Sequence, residues 1–339
     1  MQKKVLVTGI TGFVGQHCAV ELINNGYTVK GSLRNINRKE EVLNGLSKVV
    51  DTEGKIEFVT LDLLKDEGWD EAMEGVDFVL HVASPFVVRE PKDESELIKP
   101  AVEGTLRALR AAQKAGIKRV VLTSSIVSMM GVAKGYKAIN QDSWTDEKSS
   151  KISAYIKSKT IAEKAAWAFV NNQTGDHNIE LAVVNPGPIY GPTLTGNLSG
   201  ESLSAIADMI QGKMPAVPPA SCSMSDVRDI AKVHVLAMEN EDAEGKRFIT
   251  TTEKPYSFQD LAKIMKANGY EKVSTAQAPA FLLKLVSLFN RDLKGMRAFI
   301  GNTIDADISL TKETLGWEPI DIEKTIADTA KSVELALQN

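Results

Sequence analysis

Tyr155 and Lys159 stand four residues apart in AYIKSKTIAEKAAWAFV, a stretch whose spacing predicts a helix over 152–171. Four residues is about one helical turn, so phenol and ammonium share a face and can act together. A free phenol titrates at about 10 and is a poor acid–base near neutrality. A neighbouring ammonium favours the phenolate, so Lys159 is expected to lower the Tyr155 value. YxxxK alone is common and is often only a surface pair. About thirty residues upstream, however, a predicted strand over 118–123 runs into Thr123-Ser124-Ser125. That hydroxyl cluster lies at the carboxyl end of a strand, where ligands gather in open parallel sheets.

A second chemical signal sits at the start of the chain, in KVLVTGITGFVG. Val5, Leu6 and Val7 form a short apolar run of the kind buried in a parallel strand. Gly9, Gly12 and Gly15 follow at intervals of three, and helical spacing then begins. Strand, glycine turn and helix together suit a pyrophosphate: Gly9 for the tight turn, Gly12 for close backbone approach, Gly15 for helix–strand packing. The free N–H groups near Phe13 and Val14 would face the phosphates. The spacing is GxxGxxG, not GxGxxG, and a plain turn with incidental glycines is the alternative.

The end of the second strand discriminates between nicotinamide cofactors. An NAD site places a carboxylate there to hold the ribose hydroxyls. Here YTVKGSLRN ends in Ser32, Leu33 and Arg34, with Arg38 and Lys39 close behind. No carboxylate occupies the position, and a guanidinium suits a 2′-phosphate. The residues favour NADP over NAD, although Arg38 and Lys39 also read as the solvated start of a helix.

These groups need a scaffold, and the pattern supplies one. Strands are expected near 4–8, 27–33, 56–60, 77–82, 118–123 and 180–185, with helices near 13–25, 38–48, 93–115 and 152–171. Such alternation predicts an α/β fold, a doubly wound parallel sheet of Rossmann type covered on both faces. After Gly191 the pattern loosens, and Pro215, Pro218 and Pro219 exclude regular helix across 214–220. A helix over 228–240, a strand over 246–250 and a helix capped by Ser257 and closed at Gly269 follow. The expected division is a nucleotide-binding domain over 1–190, with 226–250 returning to it, and a smaller mixed α/β substrate lobe over 191–339.

Of 339 residues, 43% are hydrophobic and 25% charged, as in an ordinary globular protein. A formal charge of −4 suggests no nucleic-acid partner. Cys18 and Cys222 have no ligand spacing, and neither do His17, His81, His177 and His234, so no disulfide framework and no metal site are expected. The first strand begins almost at Met1, and FLLKLVSLF (281–289) is too short to span a bilayer. A cytosolic protein without membrane contact is expected; monomer and homodimer stay open.

Glycine turn, strand-end serine and helical YxxxK, in that order, resemble the extended short-chain dehydrogenase/reductase family. Within it the chain resembles the dihydroflavonol reductase, cinnamoyl-CoA reductase and fungal ketone/aldehyde reductase group. The likeness extends over VTGITGFVG, Arg34, LDL (61–63), HVASPF (81–86), VLTSS (121–125), YIKSKTIAEKAAW (155–167), NPGPIYGP (185–192) and VRDIAKVH (227–234). It implies NADPH-dependent reduction of a small-molecule carbonyl. Tyr155 would be the proton donor, Lys159 would bind the nicotinamide ribose, and Ser125 (or its neighbour Ser124) would hold the carbonyl oxygen. Gly9, Thr11, Gly12, Phe13, Val14 and Gly15 would cradle NADP(H). Asp62 and Leu63 would flank its adenine, with an N-cap the alternative for Asp62. Val82, Ala83 and Ser84 would lie near the ribose, and Pro186 to Ile189 by the nicotinamide.

Phe86, Ile126, Met129, Met130, Pro188, Tyr190 and the proline loop at 214–220 could line an apolar substrate pocket or be ordinary core. The chain lacks the NWYCY signature of cinnamoyl-CoA reductases and reads SMMGVAKG where a flavonoid would be recognised. A broad aldehyde or ketone reductase is therefore the expectation. Sugar-nucleotide epimerase, 3β-hydroxysteroid-type dehydrogenase and non-enzymatic NADP sensor are the rivals. Arg34 argues against the first, and the intact Tyr–Lys pair against the last.

Overall fold

Val5 and Val7 face one side of the central sheet and Leu6 the other, and all three are fully buried. Apolar residues at consecutive positions are what a strand covered on both faces requires. The computed structural model describes residues 2–84, 91–130, 138–174, 177–287, 290 and 297–338. Its main sheet is seven-stranded. Six strands are β1 (Lys4–Thr8), β2 (Thr28–Leu33), β3 (Ile56–Thr60), β4 (Phe78–His81), β5 (Arg119–Thr123) and β6 (Glu180–Pro186). The seventh, Arg247–Thr250, pairs in parallel with β6, and every other pairing is parallel too. The spatial order is Arg247–Thr250, β6, β5, β4, β1, β2, β3. Strand order reverses between β1 and β4, which opens a crevice beyond their carboxyl ends.

Helices α1 (Phe13–Asn24), α2 (Lys39–Leu46), α3 (Trp69–Met73), α4 (Ser95–Lys114) and α5 (Ala154–Asn171) connect these strands. One apolar cluster joins the sheet to α1, α2 and the later helix Val227–Glu239 through Val14, Leu22, Val42, Leu46, Ile230 and Val233. The other carries α3, α4 and α5 through Trp69, Met73, Leu109 and Ala166. The expected doubly wound α/β architecture is thus present, with element ends moved by a residue or two. Two departures are larger: the short helix α3 over Trp69–Met73 was not expected, and ahead of α2 Asn35 accepts the Asn37 N–H and starts a 3₁₀ turn, Ile36–Arg38.

Beyond residue 191, a third cluster gathers Leu203, Ile206, Leu261, Met265, Ile326 and Val333. It packs the helices Glu201–Ile210, Phe258–Ala267 and Ile322–Gln338 together, with Phe13 packed against both this cluster and the first one. Ser257 caps the second of these in a reciprocal capping box with Asp260. Among the described residues, no helix is long and apolar enough to cross a membrane and no cluster of metal ligands occurs.

Candidate active site

Gly9 leaves β1 with φ of +70°, a conformation that side chains disfavour, and the Gly12 N–H closes the turn on the Gly9 carbonyl at 2.9 Å. A Cβ on Gly15 would lie 2.5 Å from that same carbonyl, so α1 can sit this close only with glycine there. Gly12 is the N-cap of α1 and offers no side chain. The first-turn N–H groups are thereby left to a ligand, at the positive end of the helix dipole. The Ala83 N–H donates to Thr8 Oγ1 at 3.0 Å, which locks the ends of β1 and β4 side by side.

The crevice over these ends is a cleft of about 890 Å³. Its walls include all of the sequence-predicted catalytic and cofactor-binding positions: Gly9, Thr11 to Gly15, Arg34, Arg38, Asp62, Leu63, Val82 to Ser84, Ser125, Tyr155, Lys159, Pro186 and Ile189. At the β2 end, Arg38 is held bidentately by Glu41, both contacts 2.8 Å. Arg34 is exposed, and among the described residues none pairs with it. Of the two guanidiniums, Arg34 is the one open to an incoming anion. Asp62 both lines the cleft and accepts the Leu64 N–H at 3.0 Å, so the capping role weighed for it is present.

At the opposite end, Ser153 caps α5, which places Tyr155 and Lys159 in its first turns. Burial pushes the Tyr155 phenol up to about 12; Glu201 adds to the rise, and a hydrogen bond from Ser125 opposes it. The expected lowering by Lys159 is therefore corrected. Burial and the Glu201 charge set the direction, and Lys159 is not among the groups that act on the phenol; the amine's own value is lowered to about 8 by burial and is partly restored by Glu163. The phenol consequently stays protonated at neutral pH.

The two serines that the sequence left open now differ. Ser125 caps the 3₁₀ turn Ile126–Ser128, accepts the Val127 N–H at 3.3 Å and hydrogen-bonds Tyr155. Ser124 Oγ turns the other way and donates to the buried Glu163 carboxylate. Of the apolar candidates, Ile126 and Pro188 line the cleft. Met129 and Tyr190 are buried in core clusters, Met130 packs against one of them, and Phe86 lies outside the described residues. Sequence reasoning missed Thr193, Thr195, Glu201, Leu203 and Phe299 on the cleft wall. The spacing of Leu203, Ile206, Ala207 and Ile210 after Glu201 was the available signal for the helix that carries two of them.

The cleft suits a dinucleotide with an extra phosphate. Uncapped amides face its middle, an open guanidinium marks one end and the Tyr155–Lys159 pair the other. Comparisons with known proteins agree. Cinnamoyl-CoA reductase CAD2 of Medicago truncatula is 34% identical, over 77% of this chain and 79% of its own. The NADPH-dependent methylglyoxal reductase GRE2 of Saccharomyces cerevisiae is 29% identical over 97% of both. The crystal structure of the yeast methylglyoxal/isovaleraldehyde reductase Gre2 complexed with NADPH superposes with a TM-score of 0.78, at 26% identity and 99% of both chains. The family model described as NAD dependent epimerase/dehydratase matches residues 5–249, and the chain belongs to that family.

Proposed function

We propose that this protein reduces an aldehyde or ketone to the alcohol with NADPH. The observation that carries the reading is the Tyr155 phenol, hydrogen-bonded to Ser125 and one turn from Lys159, on the wall of a cleft with Arg34 at its far end. The glycine corner and the first turn of α1 hold the pyrophosphate, Arg34 takes the 2′-phosphate, and Lys159 takes the nicotinamide ribose. NADPH, when bound, supplies the hydride. Tyr155 gives its proton to the carbonyl oxygen, and Ser125 holds that oxygen in place. Together they contact the developing alkoxide, and each such donor is worth about 3 kcal/mol at the barrier by analogy with oxyanion holes.

The first 190 residues with the returning segment 226–250 act as the cofactor domain, and the remaining helices as the substrate lobe. A cytosolic location accords with the two buried free cysteines. The substrate is a small neutral carbonyl compound, a reading supported by the methylglyoxal and isovaleraldehyde named for the yeast enzyme. The test is cofactor oxidation with NADPH and NADH side by side. The panel is methylglyoxal, isovaleraldehyde, aromatic aldehydes, α-diketones, β-ketoesters, dihydroflavonols and acyl-CoA thioesters. Turnover of one or more small carbonyls with NADPH is expected; a tenfold preference for NADH, or no turnover of the whole panel, overturns the reading.

A further inference from the structure

Directly behind Ser125 lies a carboxylate that the proposed reaction does not use. Glu163 is 1% exposed and sits one turn beyond Lys159 on α5. Its Oε1 accepts from Arg247 Nε and, at 3.3 Å, from Trp167 Nε1. Its Oε2 accepts from Ser124 Oγ, from Ser128 Oγ at 2.6 Å and from Asn185 Nδ2 at 3.0 Å. The last two also reach the Ser125 carbonyl: Ser128 Oγ stands 2.7 Å from it and Asn185 Nδ2 3.3 Å. Arg247 is gripped in turn by the Gln141 and Ser143 carbonyls at 2.8 and 2.7 Å, and its guanidinium stacks on Trp144 at 3.8 Å.

A buried ion pair contributes little net stability compared with apolar side chains of similar size. What this one does supply is fixed geometry, because three of its five donors, Ser124, Ser128 and Asn185, come from the segment that follows β5 and from β6, on either side of Ser125. It also supplies a negative charge within reach of Lys159. The titratable and charged groups acting on that ammonium are Glu163 from α5 and, from β4, His81, which is buried and held neutral with its value lowered to about 3. Among the described residues, only the carboxylate favours the charged amine.

We infer that Glu163 is a positioning residue of the reduction proposed above, holding the Ser125 segment in register with Tyr155 and setting a negative charge one helical turn from the amine of Lys159. Two variants separate these tasks. Glu163→Gln keeps the shape and removes the charge; Ser128→Ala keeps the charge and removes one strut under Ser125.

The charge is read without turnover, from the pH dependence of Lys159 acylation by acetic anhydride, followed by mass spectrometry of the cofactor-free protein. In Glu163→Gln the midpoint should fall by about one pH unit, and in Ser128→Ala it should stay. An unmoved midpoint in folded Glu163→Gln overturns the electrostatic half. In NADPH turnover with the best carbonyl of the panel, Ser128→Ala should lose about tenfold in kcat with KM for NADPH unchanged, and kcat within twofold of wild type overturns the positioning half. Should Glu163→Gln fail to fold because Arg247 is left uncompensated, Glu163→Gln combined with Arg247→Met takes its place, with the same midpoint expected and the same result fatal. Absence of any wild-type turnover would count against the reductase reading alone, since the acylation midpoint is independent of it.

Discussion

Tyr155 meets Ser125 on one side and the cleft on the other, so removing its hydroxyl should abolish the proposed proton donation without disturbing the cofactor cradle. Tyr155→Phe is expected to lose about 10³-fold or more in kcat, with NADPH affinity, measured by fluorescence titration, retained. Arg34→Ala should narrow the NADPH-over-NADH preference in kcat/KM by at least about tenfold, since the proposed charge-assisted contact to the 2′-phosphate would be lost. The pH profile follows from Lys159. Its ammonium is present below about 8 and is lost as pH rises through that value, so kcat should decline on the alkaline side of pH 8. The same depression makes the folded state bind this proton less well than the unfolded one. The stability penalty is therefore full below about 8 and is relieved as pH rises towards the ordinary lysine value. Tyr155 and Lys159 were legible because helical spacing alone puts them on one face. The direction of the phenol's shift was not, because burial is set by chains distant in sequence. Nor could spacing tell Ser124 from Ser125: what separates them is Glu163, Asn185 and Arg247, brought together only by the sheet.

At the level of the secondary-structure elements, the first βα corner depends on the contact between Gly15 and the Gly9 carbonyl. Gly15→Ala must push α1 off β1, because the obstacle is backbone and cannot rotate away. NADPH affinity should fall at least about tenfold, and overpacking should cost about 1–3 kcal/mol in denaturant unfolding. These strands and helices could be read because strands covered on both faces give unbroken apolar runs and their connecting helices give amphipathic ones. The helices Glu201–Ile210 and Ile322–Gln338 were passed over although Ile322, Ile326, Ala330 and Val333 follow helical spacing. Gly196 and Gly200 suggested loops ahead of the first, and no strand alternation framed either. The Ser257 cap, by contrast, was visible because a capping box is written within four residues.

On the scale of the whole molecule, the chain leaves the sheet after β6, builds part of the third cluster, and returns as Arg247–Thr250 before leaving again for Phe258–Ala267 and Ile322–Gln338. Arg228 is clamped between Asp226 and Asp328, with contacts of 2.6 Å to each, and ties the returning helix Val227–Glu239 to the C-terminal helix Ile322–Gln338. This interleaving has a consequence during synthesis. The edge strand that supplies Arg247 to Glu163 is encoded long after α5, so a nascent polypeptide must carry an unpaired acid beneath Ser125 until the ribosome has delivered Thr250. A gene cut after codon 190 should accordingly yield a chaperone-bound, protease-sensitive fragment rather than a miniature cofactor module.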